Sequence, residues 1–187
     1  MKKILMFYTG KNCNPGVYDT LGKDFDVTQI YMADHVQPDQ NHIRYLDLSD
    51  ESAIDLLLED IFPADAVLIL PSVSSRENPP PYDAFKEMQL SLFSLLKVLY
   101  PNLMRLKGTT LWILEPVFDA EGASAESVRI AQKGVMALSQ VAAMELARKK
   151  VAVNYLGKGN GYSDIDTLIK WAAERKKIYM TAQVLNA

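Results

Sequence analysis

The sequence predicts an α/β fold: a doubly wound parallel sheet with helices on both faces, in a single domain over 1–187. Three observations carry this. Short apolar runs recur along the chain, at Ile4–Tyr8, Val27–Met32, Ala66–Leu70, Thr109–Leu114 and Val151–Leu156. Stretches of helical periodicity separate most of them, as successive βαβ units require. Ala66-Val67-Leu68-Ile69-Leu70 is apolar at every position, the pattern of a parallel strand covered on both faces.

Ile4–Tyr8, ended by Gly10, is the first strand. Lys11–Pro15 is a turn-rich loop, and Pro15 and Gly22 limit Gly16–Lys23 to a short helix. Val27–Met32 is the second strand, 34–40 a polar loop, and Tyr45–Leu48 a short third strand. Ser49 is placed to cap a helix over Glu51–Ile61 that carries acidic residues in its first turn. Pro71–Asp83, with consecutive prolines at 79–81, reads as a loop. Ala84–Leu103 is a long helix whose end Pro101 is expected to shorten or bend. Thr109–Leu114 is a strand, Ser124–Lys149 a second long helix, and Val151–Leu156 a strand. Ser163 caps a helix across Ile165–Lys176, and Tyr179–Leu185 closes the sheet.

Composition narrows the function classes. The chain is 49% hydrophobic and 23% charged, ordinary for a globular domain of this size. A net charge of −3 argues against nucleic acid as the main partner. No apolar run reaches the ~18 residues a membrane helix needs, so no membrane span is expected. The opening MKKILMFYTG is too short for a secretory signal and reads better as a strand. The single cysteine, Cys13, rules out an internal disulfide and fits a reducing cytoplasm. His35 and His42 lie far from a second ligand cluster, so no metal site is expected.

Residues 126–159 carry Glu145-Leu146-Ala147 and Val151-Ala152-Val153-Asn154. This segment resembles the short-chain dehydrogenase/reductase family, of the 3-oxoacyl-carrier-protein-reductase type, without a gap. The likeness extends over nearly the whole chain. Thr9-Gly10 and Gly16 stand where the family has TGxxxGxG, with Asn14 at the middle glycine and a following helix about one turn shorter. Asp47-Leu48-Ser49-Asp50 resembles the family's D-V-[ST]-D, whose first aspartate lies near the adenine; Asp47 is equally well read as a strand terminator. Asp65–Ser72 stands where the family has DxLVNNAG, with Ile69-Leu70-Pro71-Ser72 at NNAG, which favours a dry core. Tyr179–Leu185 is similar to the closing strand, while 159–163 leaves almost nothing of a substrate lid. The resemblance thus implies a Rossmann-like topology with a shortened cofactor loop and no lid. Cofactor contacts, if any, would fall on Gly10, Gly16 and Asp47.

Carried over position by position, the family's catalytic Asn, Ser, Tyr and Lys become Met88, Glu115, Val128 and Gln132. Valine has no proton to give, and glutamine no charge with which to lower a phenol's pKa. Lys133 is one residue from the lysine site, a rotation of about 100° on a helix, and is expected to point elsewhere. Glu115 reads as a surface or loop carboxylate ahead of an acid–base group. No catalytic residue is therefore assigned.

Both long helices are apolar on more than one face. Val128, Ala131, Val135, Leu138 and Ala142 form one stripe of the second, and Ile130, Gly134, Ala137, Val141 and Met144 another. In the first, Phe85, Met88, Leu92, Leu95 and Leu99 form a stripe that Leu90, Phe93 and Leu96 extend round the cylinder. The family pairs these helices across a two-fold axis. The expected function is that of a catalytically inactive reductase-like protein, associating through helices 84–104 and 124–149 with itself or with an active ketoreductase. The alternatives are a divergent NAD(P)-binding sensor or oxidoreductase, and a small-molecule site near Tyr8, Ser72 and Glu115.

Overall fold

A computed structural model of the chain describes residues 1–9, 21–32, 42–73, 81–105, 110–118, 125–157 and 181–186. In chain order the elements are β1 (Lys3–Tyr8), β2 (Asp26–Met32), β3 (Ile43–Leu46), α1 (Glu51–Ile61), β4 (Ala66–Leu70), β5 (Ser72–Val73), α2 (Pro81–Arg105), β6 (Thr110–Leu114), β7 (Val117–Phe118), α3 (Ala125–Ala147), β8 (Ala152–Gly157) and β9 (Val184–Asn186). Seven strands form one sheet in the order β3-β2-β1-β4-β6-β8-β9, and every neighbouring pair is parallel. β5 and β7 pair separately, also in parallel. The chain winds outward from β1 to β3, then returns to β4 on the other side of β1. That reversal makes the crevice beyond the ends of β1 and β4 the topological switch point.

Two apolar cores hold the sheet. On one face Leu5, Phe7, Val67, Ile69, Leu111, Ile113 and Val153 meet α1, α2 and α3. On the other, Ile4, Met6, Leu68, Trp112, Leu114 and Leu156 pack with Leu21 and Phe25. Every residue of β4 and of β6 is buried, so the all-apolar run at 66–70 is a two-sided strand. Among the described residues no helix is long and apolar enough to cross a membrane, and no group of three His, Cys, Asp or Glu residues could hold a metal.

Several boundaries differ from expectation for identifiable reasons. α2 begins at Pro81, inside the predicted loop, because proline's fixed φ suits a first helical turn that needs no N–H donor. It then runs through Pro101 to Arg105 instead of stopping. Pro101 and Lys97 are both exposed, so water can take the carbonyl that the missing N–H leaves open. The cap of α1 is Asp50, not Ser49: its side chain accepts from the Ala53 amide at 3.0 Å. The last strand is only Val184–Asn186; ahead of it Thr181 and Gln183 bind β8 through Val153 and the Asn154 side chain. The predicted loops at 11–15 and 34–40, Gly10, most of the helix at 16–23, the helix at 165–176 and the region of the absent lid lie outside the described residues.

The turn that stops α3 carries Lys150 at φ 62°, and the amides of Lys150 and Val151 reach back to the carbonyls of Ala147 and Leu146. This is a left-handed helix stop built without glycine. Lys150→Gly removes the steric cost of that conformation, about 1 kcal/mol. The variant is expected to melt higher than the parent chain; an unchanged or lower midpoint would contradict the stop geometry.

Candidate functional site

The C-terminal ends of the strands gather the polar groups. Beyond β1, the Thr9 amide donates to the Leu70 carbonyl at 3.3 Å, and Thr9 Oγ1 accepts from the Ser72 amide at 3.1 Å. These bonds close the ends of β1 and β4 against each other. The Ser72 hydroxyl is buried there with no hydrogen-bond partner among the described residues. Ile69 and Leu70, at the positions of the family's paired asparagines, are buried apolar residues of the two cores.

On β1, β2 and β3 the parallel register sets Tyr8, Tyr31 and Tyr45 side by side. The Tyr8 and Tyr31 rings stack at 4.7 Å, and Tyr31 and Tyr45 lie 6.0 Å apart and tilted. The Tyr31 hydroxyl donates to Gln29 Oε1. Tyr8 was expected near a small-molecule site; Tyr31 and Tyr45 were not, although each lies in a predicted strand.

Of the candidate cofactor residues, Gly10 and Gly16 lie outside the described residues. Asp47 follows β3, where its Oδ1 accepts from the Ser49 amide at 2.8 Å and the Ser49 hydroxyl at 2.6 Å. That oxygen turns the chain toward α1, the structural role that sequence left open beside the adenine contact.

Two positions matched to the catalytic set come together. Glu115 follows β6, and its amide donates to the Leu156 carbonyl at 2.8 Å. Gln132 projects from α3, and its Nε2 donates to Glu115 Oε1. Glu115 is a loop carboxylate, one of the two placements expected from sequence, but it is partly buried and engaged by α3. Val128 lies one turn before Gln132 on the same helix face, half-buried. Met88 is fully buried in the core with Ala131 and Val135. Lys133 turns away, exposed, onto a groove with Phe85, Arg129, Ile130 and Gly134.

Tyr155 on β8 completes the cluster and was missed as a contributor. It is buried, and that burial, together with the Glu115 carboxylate, pushes its hydroxyl well above the ordinary tyrosine range. The phenol is held neutral and cannot serve as a base near pH 7. Because the folded state binds this proton more tightly than the unfolded chain, the associated stability is full below about pH 10, the ordinary tyrosine value. It is lost as pH rises toward the folded value. Tyr155→Phe is expected to lose stability less steeply than the parent between pH 10 and 11, followed by circular dichroism; equal slopes would contradict the assignment.

The cluster presents a carboxylate whose amide neighbour is already committed to it, beside a valine. What the arrangement does chemically is fix α3 to the end of β6.

No protein-family model and no curated protein matches the chain by sequence. Solved structures do match it. A short-chain dehydrogenase family protein from Francisella tularensis subsp. tularensis SCHU S4 aligns at TM-score 0.64 and 16% identity, over 100% of this chain and 96% of that one. ElxO with NADP bound aligns at TM-score 0.67 and 14% identity, over 100% and 97%. A Brucella ovis oxidoreductase of the short-chain dehydrogenase/reductase family, in complex with a partially ordered NAD, aligns at 0.64 and 13%, over 100% and 99%. Full-length agreement at such low identity is agreement of fold, and the chain has the short-chain dehydrogenase/reductase fold.

Proposed function

We propose that this protein is a catalytically inactive relative of the short-chain reductases that works by association. The observation that carries the first half is the Gln132–Glu115 hydrogen bond. Where the resembled family has a lysine beside a tyrosine, this chain has an amide tied to a carboxylate and, one turn earlier, Val128. Neither supplies the proton that reduction of a carbonyl requires.

The second half is supported by the outer face of α2 and α3. Leu90 and Phe93 are 55% and 56% exposed, and Val141 and Met144 are 49% and 64% exposed. Large apolar side chains clustered on one helix layer suit a covered surface better than an open one. The partner is a second copy or, by analogy of fold, an active ketoreductase. The lone Cys13 fits a cytoplasmic setting for either. Sedimentation of the purified chain, alone and mixed with an active short-chain reductase, tests this: a complex is expected, and a strict monomer in both samples would refute it.

A nucleotide-binding role is the second reading. It is favoured by the buried Ser72 hydroxyl at the switch point, unpartnered among the described residues, and by the NADP and NAD bound in the structural neighbours. Calorimetric titration with NADPH and NADH decides it; no heat at millimolar cofactor would exclude it.

A further inference from the structure

The groove between α2 and α3 joins apolar surface to positive charge. Phe85, Ile130 and Gly134 line it, and its two charged residues, Arg129 and Lys133, are both cations. Its volume is about 520 Å³. Gly134 makes the groove possible: a Cβ there would sit 2.6 Å from the Phe85 ring and 2.4 Å from the Gln89 amide, so the glycine lets that ring lie against α3. Arg129 and Lys133 are exposed and four residues apart on one helix, a spacing at which like charges repel. Glu126 comes three residues before Arg129. Among the described residues, however, no carboxylate lies within ion-pair distance of either cation.

From the groove an apolar stripe continues along both helices. On α3 it runs from Ile130 through Ala137 and Val141 to Met144, and on α2 through the exposed Leu90 and Phe93. The α3 stripe is about 21 Å long, which a helix of about 14 residues matches. An apolar seam of this kind receives the apolar face of another helix. We infer that the occupant is a helix of a different protein, apolar along one face and carrying carboxylates at the end that lies over Arg129 and Lys133. This rests on the association reading above and gives the partner its chemistry. The groove takes an apolar anchor against Phe85 and Ile130, and the Arg129 guanidinium suits a carboxylate held through two parallel N–H bonds. Charge selects the partner, since a lysine-bearing helix would meet two like charges there. A second copy supplies no counter-charge along this layer: residues 88–104 and 130–144 contain no aspartate or glutamate, while Lys97 and Lys133 add cations.

Two labelled peptides of about 18 residues test this against the full chain by fluorescence anisotropy. Both carry leucines at helical spacing; one has glutamates beside its first two turns, and the other has lysines in their place. The glutamate peptide is expected to bind at least about tenfold more tightly at ~50 mM salt, and the gap to narrow as salt rises to ~0.5 M. Arg129→Glu/Lys133→Glu is expected to reverse the preference, a result that a merely structural role for the two cations would not give. Phe93→Ser is expected to weaken both peptides about tenfold through lost apolar contact. Equal binding of the two peptides overturns the proposal. So does a preference unchanged in Arg129→Glu/Lys133→Glu, or equal binding of a scrambled glutamate peptide. Binding to phosphatidylserine vesicles and to neither peptide overturns the helix as occupant. A chain that binds neither peptide yet sediments as a dimer, or in complex with an active reductase, overturns the acidic partner and leaves association standing. A strict monomer that binds neither peptide overturns both readings.

Discussion

Trp112→Ala is expected to remove about 3–5 kcal/mol of folding stability. Trp112 is fully buried at the middle of β6, with Leu68 of β4 on one side and Asn154 of β8 on the other. Its side chain belongs to the core formed by Ile4, Met6, Leu68, Leu114 and Leu156. An alanine would leave a cavity that three strands pinned in register cannot close. Since a domain of this kind has about 5–15 kcal/mol in all, much of the chain would unfold near its growth temperature. Urea unfolding followed by far-ultraviolet circular dichroism measures this. A loss below about 1 kcal/mol would mean that Trp112 does not fill the core on that face.

Gln132→Leu is expected to cost about 1–2 kcal/mol, because it strips a donor from the partly buried Glu115 carboxylate. Glu115→Leu/Gln132→Leu removes both polar groups, and its loss is expected to be smaller than the sum of the two single losses by about 1 kcal/mol. Strictly additive losses would show that the bond between α3 and β6 contributes nothing. Glu115→Gln has a separate signature: with the negative charge gone, the Tyr155 hydroxyl moves back toward its ordinary range, though burial still holds it above.

Much of the fold was legible because long-range order here follows local pattern. The five-residue runs at 66–70 and 110–114 are apolar throughout, and only a covered parallel strand accounts for that. The two-residue strands β5 and β7 were not legible: each is too short for any periodicity and exists only because the other lies beside it. The cap of α1 was misplaced by one residue because Ser49 and Asp50 are both good caps. The stripe Val128, Ala131, Val135, Leu138 and Ala142 shares Ala131 and Val135 with the buried face of α3, and Leu138 and Ala142 pack against the core at its edge, but the buried face also takes in Ser127, Ser139, Ala143 and Leu146. Two serines on the core side hid that part of the face. Ser139 can sit there because its hydroxyl bonds back to the Met136 carbonyl at 2.7 Å.

The site was half legible. Matching to the family pattern picked out Glu115 and Gln132 separately, and the structure joins them in one hydrogen bond. Their contact could not be read from spacing, since it joins positions 17 residues apart, one just after β6 and the other on α3. Tyr155 lies on a strand, whereas the tyrosine of the resembled family stands four residues before a lysine on a helix. Its link to Glu115 depends on the parallel pairing of β6 with β8.

The central claim is that a reductase fold is used here without the reductase reaction. Spectrophotometric oxidation of NADPH and NADH by the purified chain, over a panel of ketones and 3-oxoacyl thioesters, tests it most directly. No cofactor turnover above the protein-free background is expected. Turnover above background that disappears in Glu115→Ala or Tyr155→Phe would contradict it.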